Sequence, residues 1–176
     1  MHPNSHNRRI LAIALRSRRF AFAVFEGPER LLDWGMVFYP LNNAVQRAAA
    51  SKRVASLLTL FAPSEVVLGK ARLLNTRKRS GVRPILRSIR HEALSRLIPV
   101  QFMKEIELKD VFGLFHVNSK HEVASMLAQV FPELLWKLPP KRRIWESERP
   151  RMALFDAIAL GFAYWQRYGA QEPTVD

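Results

Sequence analysis

Three apolar runs near the start of the 176-residue chain constrain its fold more than any other feature. They cover residues 10–15, 20–25 and 31–39 and are separated by short turns rich in charge, Gly and Pro. Apolar runs of this length with such boundaries are typical of β-strands. The first run, ILAIAL, is apolar on both faces, which predicts a central strand covered on both sides. The sequence therefore predicts an N-terminal three-stranded meander.

The rest of the chain alternates between helical and strand patterns. The elements predicted from periodicity and capping are, in order, a helix over residues 44–61, a strand over 65–69, a helix over 84–97, a strand over 99–103, a helix over 120–131 and a helix over 150–168. Gly169 is predicted to terminate the last helix. We expect one domain over residues 9–169, with a disordered basic and polar arm over 1–8 and a polar tail over 170–176.

Charge is the strongest clue in the composition. Lys and Arg total 28 against 15 acids, giving a net charge of +13, which favours a polyanionic partner such as nucleic acid. The absence of cysteine excludes disulfides, thiolate metal sites and cysteine nucleophiles. No apolar run reaches the roughly 18 residues of a membrane span, and the N-terminus lacks a signal-peptide pattern. We expect a cytoplasmic protein without a membrane partner.

The cations concentrate in two stretches, one after the fourth predicted strand and one before the last helix. The residues predicted to contact nucleic acid are Lys70, Arg72, Arg77, Lys78, Arg79, Arg83, Arg87, Arg142 and Arg143. A solvated charged face is the alternative interpretation. Trp145 follows the second stretch and is the tryptophan for which base stacking should be tested, the alternative being a role as an anchor of the connector.

The order of elements and several short motifs resemble the RuvC-type Holliday junction resolvases of the RNase H-like superfamily. The motifs are residues 10–13 followed by Ser17-Arg18, Gly113 with 120–123 and 126–127, the connector 135–139, and 156–160. The resemblance implies an α/β, RNase H-like (RuvC-like) fold with a mixed five-stranded sheet and helices on both faces. It also implies a homodimer.

The resemblance further implies phosphodiester hydrolysis by divalent metal ions that four carboxylates hold. It places those carboxylates at Ala14, Gly69, Ala153 and Asp156, of which only Asp156 is an acid. The distribution of acids agrees, because residues 1–25 contain no Asp or Glu and Glu65 is the only acid in residues 34–90. The first strand therefore offers no metal ligand, and we expect neither a metal site nor a cofactor.

These observations favour a nucleic-acid-binding, RuvC-like protein that has lost its cleavage site and that acts on or scaffolds branched or structured DNA, with RNA less favoured. Two alternatives stay open. One is an active, divergent Mg²⁺-dependent endonuclease that uses Asp156 with Glu146 and Glu148, or with acids from a partner. The other is a basic dimeric interaction module.

Asp156 itself has two interpretations. It is either a remnant metal ligand or a partly buried residue held by Arg151, another cation or a backbone amide.

Overall fold

The computed structural model describes residues 8–69 and 79–169, and within these ranges it contains five strands and five α-helices. The strands are β1 (Arg9–Leu15), β2 (Arg19–Glu26), β3 (Leu31–Phe38), β4 (Glu65–Gly69) and β5 (Val100–Met103). The helices are α1 (Ala44–Phe61), α2 (Arg79–Leu94), α3 (Glu105–Gly113), α4 (Lys120–Val130) and α5 (Met152–Tyr168), with a 3₁₀ helix over Pro132–Lys137. None of the described helices is long and apolar enough to cross a bilayer.

The five strands form one mixed sheet in the order β3-β2-β1-β4-β5, which confirms the predicted meander and the central position of β1. The pairs β1–β2 and β2–β3 are antiparallel, whereas β1–β4 and β4–β5 are parallel. Three parallel strands therefore end at the same edge of the sheet. Crevices at the carboxyl ends of parallel strands are common ligand sites in α/β proteins.

Helices cover both faces of the sheet, as predicted. Alternate residues of β1 point to opposite sides, so Leu11 and Ile13 join the core beneath α1 and α2. Ile10 and Ala12 join the core beneath α3, α4 and α5. Apolar cores lie on both sides of β1, which explains why residues 10–15 of this strand are all apolar.

Helix α5 lies close to the sheet because the residues between them are small. It packs against β1 and β2, where Ala12 and Ala23 share a core with Ala157. Gly161 on the same helix lies against the ring of Phe25. A Cβ added at Gly161 would lie 2.7 Å from Phe25 Cδ2 and closer still to Cε2. Glycine at this position therefore permits a helix-to-sheet distance that alanine would not.

Helix α2 begins earlier than the sequence suggests. It begins at Arg79, so Pro84 lies inside the helix and not in its first turn. Val82 and Ile85, on either side of the proline, are both buried against the sheet, so packing of the apolar face outweighs the lost hydrogen bond. The helix ends at Leu94, and Leu97 has a left-handed backbone with φ of 56°.

The sequence did not predict helix α3, and it placed the start of α5 two residues too early. Helix α3 buries only Val111 and Phe112, so it carries too little apolar periodicity to be recognised. Helix α5 begins at Met152, not Pro150. It ends at Tyr168, directly before Gly169 as predicted, although Gly169 has a right-handed backbone with φ of −64°. The Ser119 capping box is confirmed, since Ser119 Oγ accepts from the Glu122 amide at 3.2 Å.

We predict that Gly161→Ala lowers the free energy of unfolding by about 1–3 kcal/mol, because the methyl group is forced against the buried Phe25 ring. This loss should exceed the gain in helix propensity, which is about 1 kcal/mol. Gly113→Ala in α3 is the matched control, because a Cβ there meets no atom within 4 Å. Urea denaturation of both variants measures the difference. Equal stability of the two variants would contradict the close packing of α5.

Candidate functional site

A cavity of about 640 Å³ opens at the edge of the sheet where β1, β4 and β5 end. Helices α3, α4 and α5 form its other walls, and most of its lining is apolar. The sheet contributes Ala14 from β1, Gly69 from β4 and Met103 from β5, and α5 contributes Asp156. The cavity therefore occupies the crevice at the carboxyl ends of the parallel strands.

Three of the four positions to which the resemblance assigns carboxylates line this cavity. They are Ala14, Gly69 and Asp156. The fourth, Ala153, lies one helical turn before Asp156 and is 2% exposed in the core. Ala14 and Gly69 have no side-chain oxygen to ligate a metal ion, and a Cβ added at Gly69 would meet no atom within 4 Å. Small residues thus leave open space where a metal site would need charge.

Asp156 belongs to a cluster of four alternating charges at the cavity, here called the charge quartet: Arg16, Lys120, Glu148 and Asp156. Arg16 donates from Nη2 to Asp156 Oδ2, and the same nitrogen lies 3.2 Å from Glu148 Oε1. Lys120 Nζ lies 3.0 Å from Glu148 Oε1 and 3.5 Å from Asp156 Oδ1. Each carboxylate therefore contacts both cations. The sequence predicted that Arg151, another cation or a backbone amide would hold Asp156. The structure shows cations other than Arg151 in this role, and Arg151 is exposed.

Arg16 is held in place by the backbone that surrounds it. Its amide donates to the Arg19 carbonyl at 2.9 Å, and its carbonyl accepts from the Tyr39 hydroxyl at 2.7 Å. Tyr39 is fully buried, and burial raises the pKa of its hydroxyl, so it stays a hydrogen-bond donor. The Arg16 side chain is only 11% exposed, which makes it a fixed cation beside the cavity.

The pKa values of the two acids of the quartet are shifted in opposite directions. Burial raises the pKa of Asp156, and the charges of Lys120 and Arg16 only partly offset this effect. Burial also acts to raise the pKa of Glu148, but the hydrogen bond and charge of Lys120, together with Arg16, lower it overall. Glu148 thus favours the ionised form in the folded chain, whereas Asp156 is ionised at a cost.

The residues present do not fit the metal site that the resemblance implies. Within residues 8–69 and 79–169, no three His, Asp or Glu side chains are placed to hold a metal ion. Residues 70–78 contain none of these residue types. Glu65 begins β4 at the opposite end from Gly69 and pairs with Arg8 and Tyr164. Glu146 accepts from the Arg143 amide at 3.0 Å.

The residues predicted to bind nucleic acid lie in three places. Lys70, Arg72, Arg77 and Lys78 fall outside the described residues, as do arm residues 1–7 and the tail 170–176. Arg79 begins α2, and Arg83 and Arg87 are exposed on the same helix. Arg142 and Arg143 are exposed in residues 138–151, which precede α5 and are called the connector before α5 from here on. Arg83, Arg87, Arg142 and Arg143 are therefore accessible to a ligand.

Arg16 and Lys120, the two cations that contact Asp156, were not predicted as site residues from the sequence. Nothing local distinguishes them from the other 26 Lys and Arg residues of the chain. Arg16 follows β1 directly, and Lys120 is the first residue of a helix whose capping box was recognised. These positions at element ends were the available signal, since side chains at the ends of β1 and α4 meet at one edge of the sheet.

We predict that the two acids respond differently to neutralisation. Glu148→Gln should lower the free energy of unfolding at neutral pH by up to about 1 kcal/mol, and the loss should disappear as the pH falls below about 4. Asp156→Asn should leave that free energy unchanged or raise it. The pKa of Asp156 is raised in the folded chain, so at a pH above this pKa the ionised carboxylate destabilises the folded state. Thermal or urea unfolding across this pH range measures both. An equal loss in the two variants would contradict burial as the dominant influence on Asp156.

Comparison with known proteins supports the fold. No protein-family model matches the chain, and no curated protein matches it by sequence. Among solved structures, T. thermophilus RuvC in complex with a Holliday junction substrate is 20% identical, with a TM-score of 0.69 over 91% of this chain and 95% of that one. A second structure of Thermus thermophilus RuvC is 21% identical, with a TM-score of 0.69 over 92% and 96% of the two chains.

These likenesses span nearly the whole length of both proteins, and they agree with the sheet order, the strand directions and the helices on both faces. At such low identity they concern the arrangement of the backbone. The chain has a RuvC-like fold of the RNase H-like type.

Proposed function

We propose that this protein binds branched or structured DNA through a RuvC-like fold and does not cleave it. The observation that carries the proposal is the charge quartet. Where a metal-dependent nuclease needs several free carboxylates, this chain has Ala14 and Gly69. The two acids of the quartet, Asp156 and Glu148, are paired with Arg16 and Lys120. Hard divalent cations need oxygen ligands that are free to coordinate them.

The quartet also lowers the electrostatic barrier to a phosphate at the cavity. A cluster of unpaired carboxylates would repel a DNA backbone, and divalent ions would be needed to offset that repulsion. Here two cations and two acids give the quartet no net formal charge. A phosphate could therefore approach the cavity without a metal ion, which suits a binding protein.

The net charge of +13 supports a nucleic-acid ligand. In the described part of α2, Arg83, Arg87 and Arg90 are exposed at a spacing that places them along one side of the helix. The similar structure of T. thermophilus RuvC holds a Holliday junction substrate, which favours branched DNA as the ligand class. A cytoplasmic homodimer is the state that we propose for the protein.

We predict no cleavage of junction, duplex or single-stranded DNA by the isolated protein with Mg²⁺ or Mn²⁺. The reason is that Asp156 and Glu148 are engaged by cations and the neighbouring positions offer no ligand. Denaturing gel electrophoresis of labelled strands measures cleavage. Robust nicking that Asp156→Asn abolishes would favour the divergent nuclease with Glu146 and Glu148.

We predict that Ala14→Asp combined with Gly69→Glu creates a divalent-metal site next to Asp156. Both positions line the cavity, and the space at Gly69 accepts a side chain. Mn²⁺ should then raise the melting temperature of the double variant by several degrees and leave the natural chain unchanged. Adding Asp156→Asn to the double variant is the control and should remove the shift. An equal shift in the natural chain would mean that it already binds metal.

We predict that Arg83→Ala with Arg87→Ala weakens DNA binding regardless of sequence and lowers the slope of log affinity against log salt by up to about 2. Arg96→Ala is the matched control, because Arg96 follows the same helix but its guanidinium is paired with Glu92 at 2.7 Å. Fluorescence anisotropy over a series of salt concentrations gives both affinity and slope. An unchanged slope in the double variant would make this side of α2 a solvated surface only.

A further inference from the structure

The connector before α5 exposes a large aromatic side chain. Trp145 is 77% exposed and its neighbour Ile144 is 98% exposed. Tryptophan has a large apolar ring, and leaving it in water is unfavourable unless a ligand covers it. Because Trp145 contributes little to the core, we looked for a ligand that could contact its ring.

The turn that carries Trp145 is fixed by hydrogen bonds that all involve Glu146. The Glu146 amide donates to the Arg143 carbonyl at 3.1 Å, and the Arg143 amide donates to Glu146 Oε2 at 3.0 Å. Arg142 Nη1 donates to the Glu146 carbonyl at 3.0 Å. The ring is therefore presented on an ordered backbone, which reduces the entropy that binding must cost.

One cation contacts this exposed ring, and several others are close in sequence. The guanidinium carbon of Arg143 lies 5.7 Å from the centre of the Trp145 ring, within cation–π distance. Residues 137–151 contain six Lys or Arg and two acids. An aromatic ring among arginines is suited to a nucleic acid, because bases stack on the ring while phosphates contact the cations. A purely apolar partner would gain nothing from these charges.

Trp145 lies three residues before Glu148, a member of the charge quartet at the cavity. Glu148, three residues further on, contacts Arg16 and Lys120 of the charge quartet. Since consecutive Cα atoms are about 3.8 Å apart, the Cα atoms of Trp145 and Glu148 are separated by at most about 11 Å. The turn that carries Trp145 is therefore close enough to the quartet for one DNA strand to contact both.

We propose that Trp145 stacks on an unpaired base of bound DNA while Arg142 and Arg143 contact the adjacent backbone. The inference rests on the proposed function and adds its substrate class, which is DNA with unpaired bases, either single-stranded or opened at a branch point. Duplex DNA buries its base faces and offers none to the ring. Trp145 thus discriminates paired from unpaired strands.

Trp136 provides a matched control. It is 69% exposed, and Lys137 Nζ lies 3.9 Å from the centre of its ring. It sits on the 3₁₀ helix and lacks a neighbouring arginine in sequence. A general effect of losing an exposed tryptophan beside a cation would appear equally in Trp136→Ala.

The experiment compares the natural chain with Trp145→Ala, Trp145→Phe and Trp136→Ala. Fluorescence anisotropy gives affinities for labelled oligothymidylate, for a duplex of the same length and for a four-way junction. Trp145→Ala should weaken oligothymidylate binding by about 5- to 150-fold, the range for one lost stacking contact, with an unchanged salt slope. Trp145→Phe should retain most of the affinity. Trp136→Ala, and duplex binding by every variant, should change less than about twofold.

Other outcomes would overturn the inference. Equal weakening on duplex and oligothymidylate would mean that Trp145 contacts the backbone and does not recognise bases. Unchanged affinity of Trp145→Ala would exclude stacking, and a change of oligomeric state in sedimentation would make the ring an interface between copies. If the natural chain binds none of the three DNAs, the proposed function itself fails. Circular dichroism and melting temperature confirm that each variant is folded.

Discussion

The close contact between α5 and the sheet is the constraint on which the site depends. Ala12 and Ala23 on the strands and Ala157 and Gly161 on the helix leave room for only a narrow separation. This packing fixes the start of α5 over the carboxyl end of β1, and it therefore fixes Asp156 beside Arg16. A bulkier residue between helix and sheet would move the carboxylate away from its cations. The apolar core thus determines the electrostatics of the cavity.

Much of this arrangement could be predicted from the sequence, because it depends on local patterns. β1 was recognised as central since residues 10–15 are apolar on both faces, and α4 was recognised from its capping box. The start of α2 could not be predicted from the sequence, because a proline such as Pro84 is typical of the first turn of a helix. The helix begins earlier because Val82 is buried in the core, which is a tertiary contact. Helix α3 was not predicted because few of its residues are buried, so its sequence has little apolar periodicity.

The charge quartet illustrates what a single sequence cannot supply. Arg16 and Asp156 are 140 residues apart, and their contact exists only because the fold brings β1 and α5 together. Placing Asp156 near Ala14 and Gly69 needed a resemblance to a known fold, whereas identifying its cations needed coordinates. Ala153 shows the limit of that resemblance, since it lies in the core while its neighbour one turn on faces the cavity.

In the proposed function, the quartet does more than replace a metal site. Its members come from the end of β1, the start of α4, the connector and α5, so the cluster joins four separate segments. Such partly buried ion pairs contribute little net stability, because desolvation offsets the attraction between the charges. They do fix geometry, and through Glu148 they hold the connector beside the cavity. The same contacts therefore place the turn of Arg142, Arg143 and Trp145 where a bound strand would meet it.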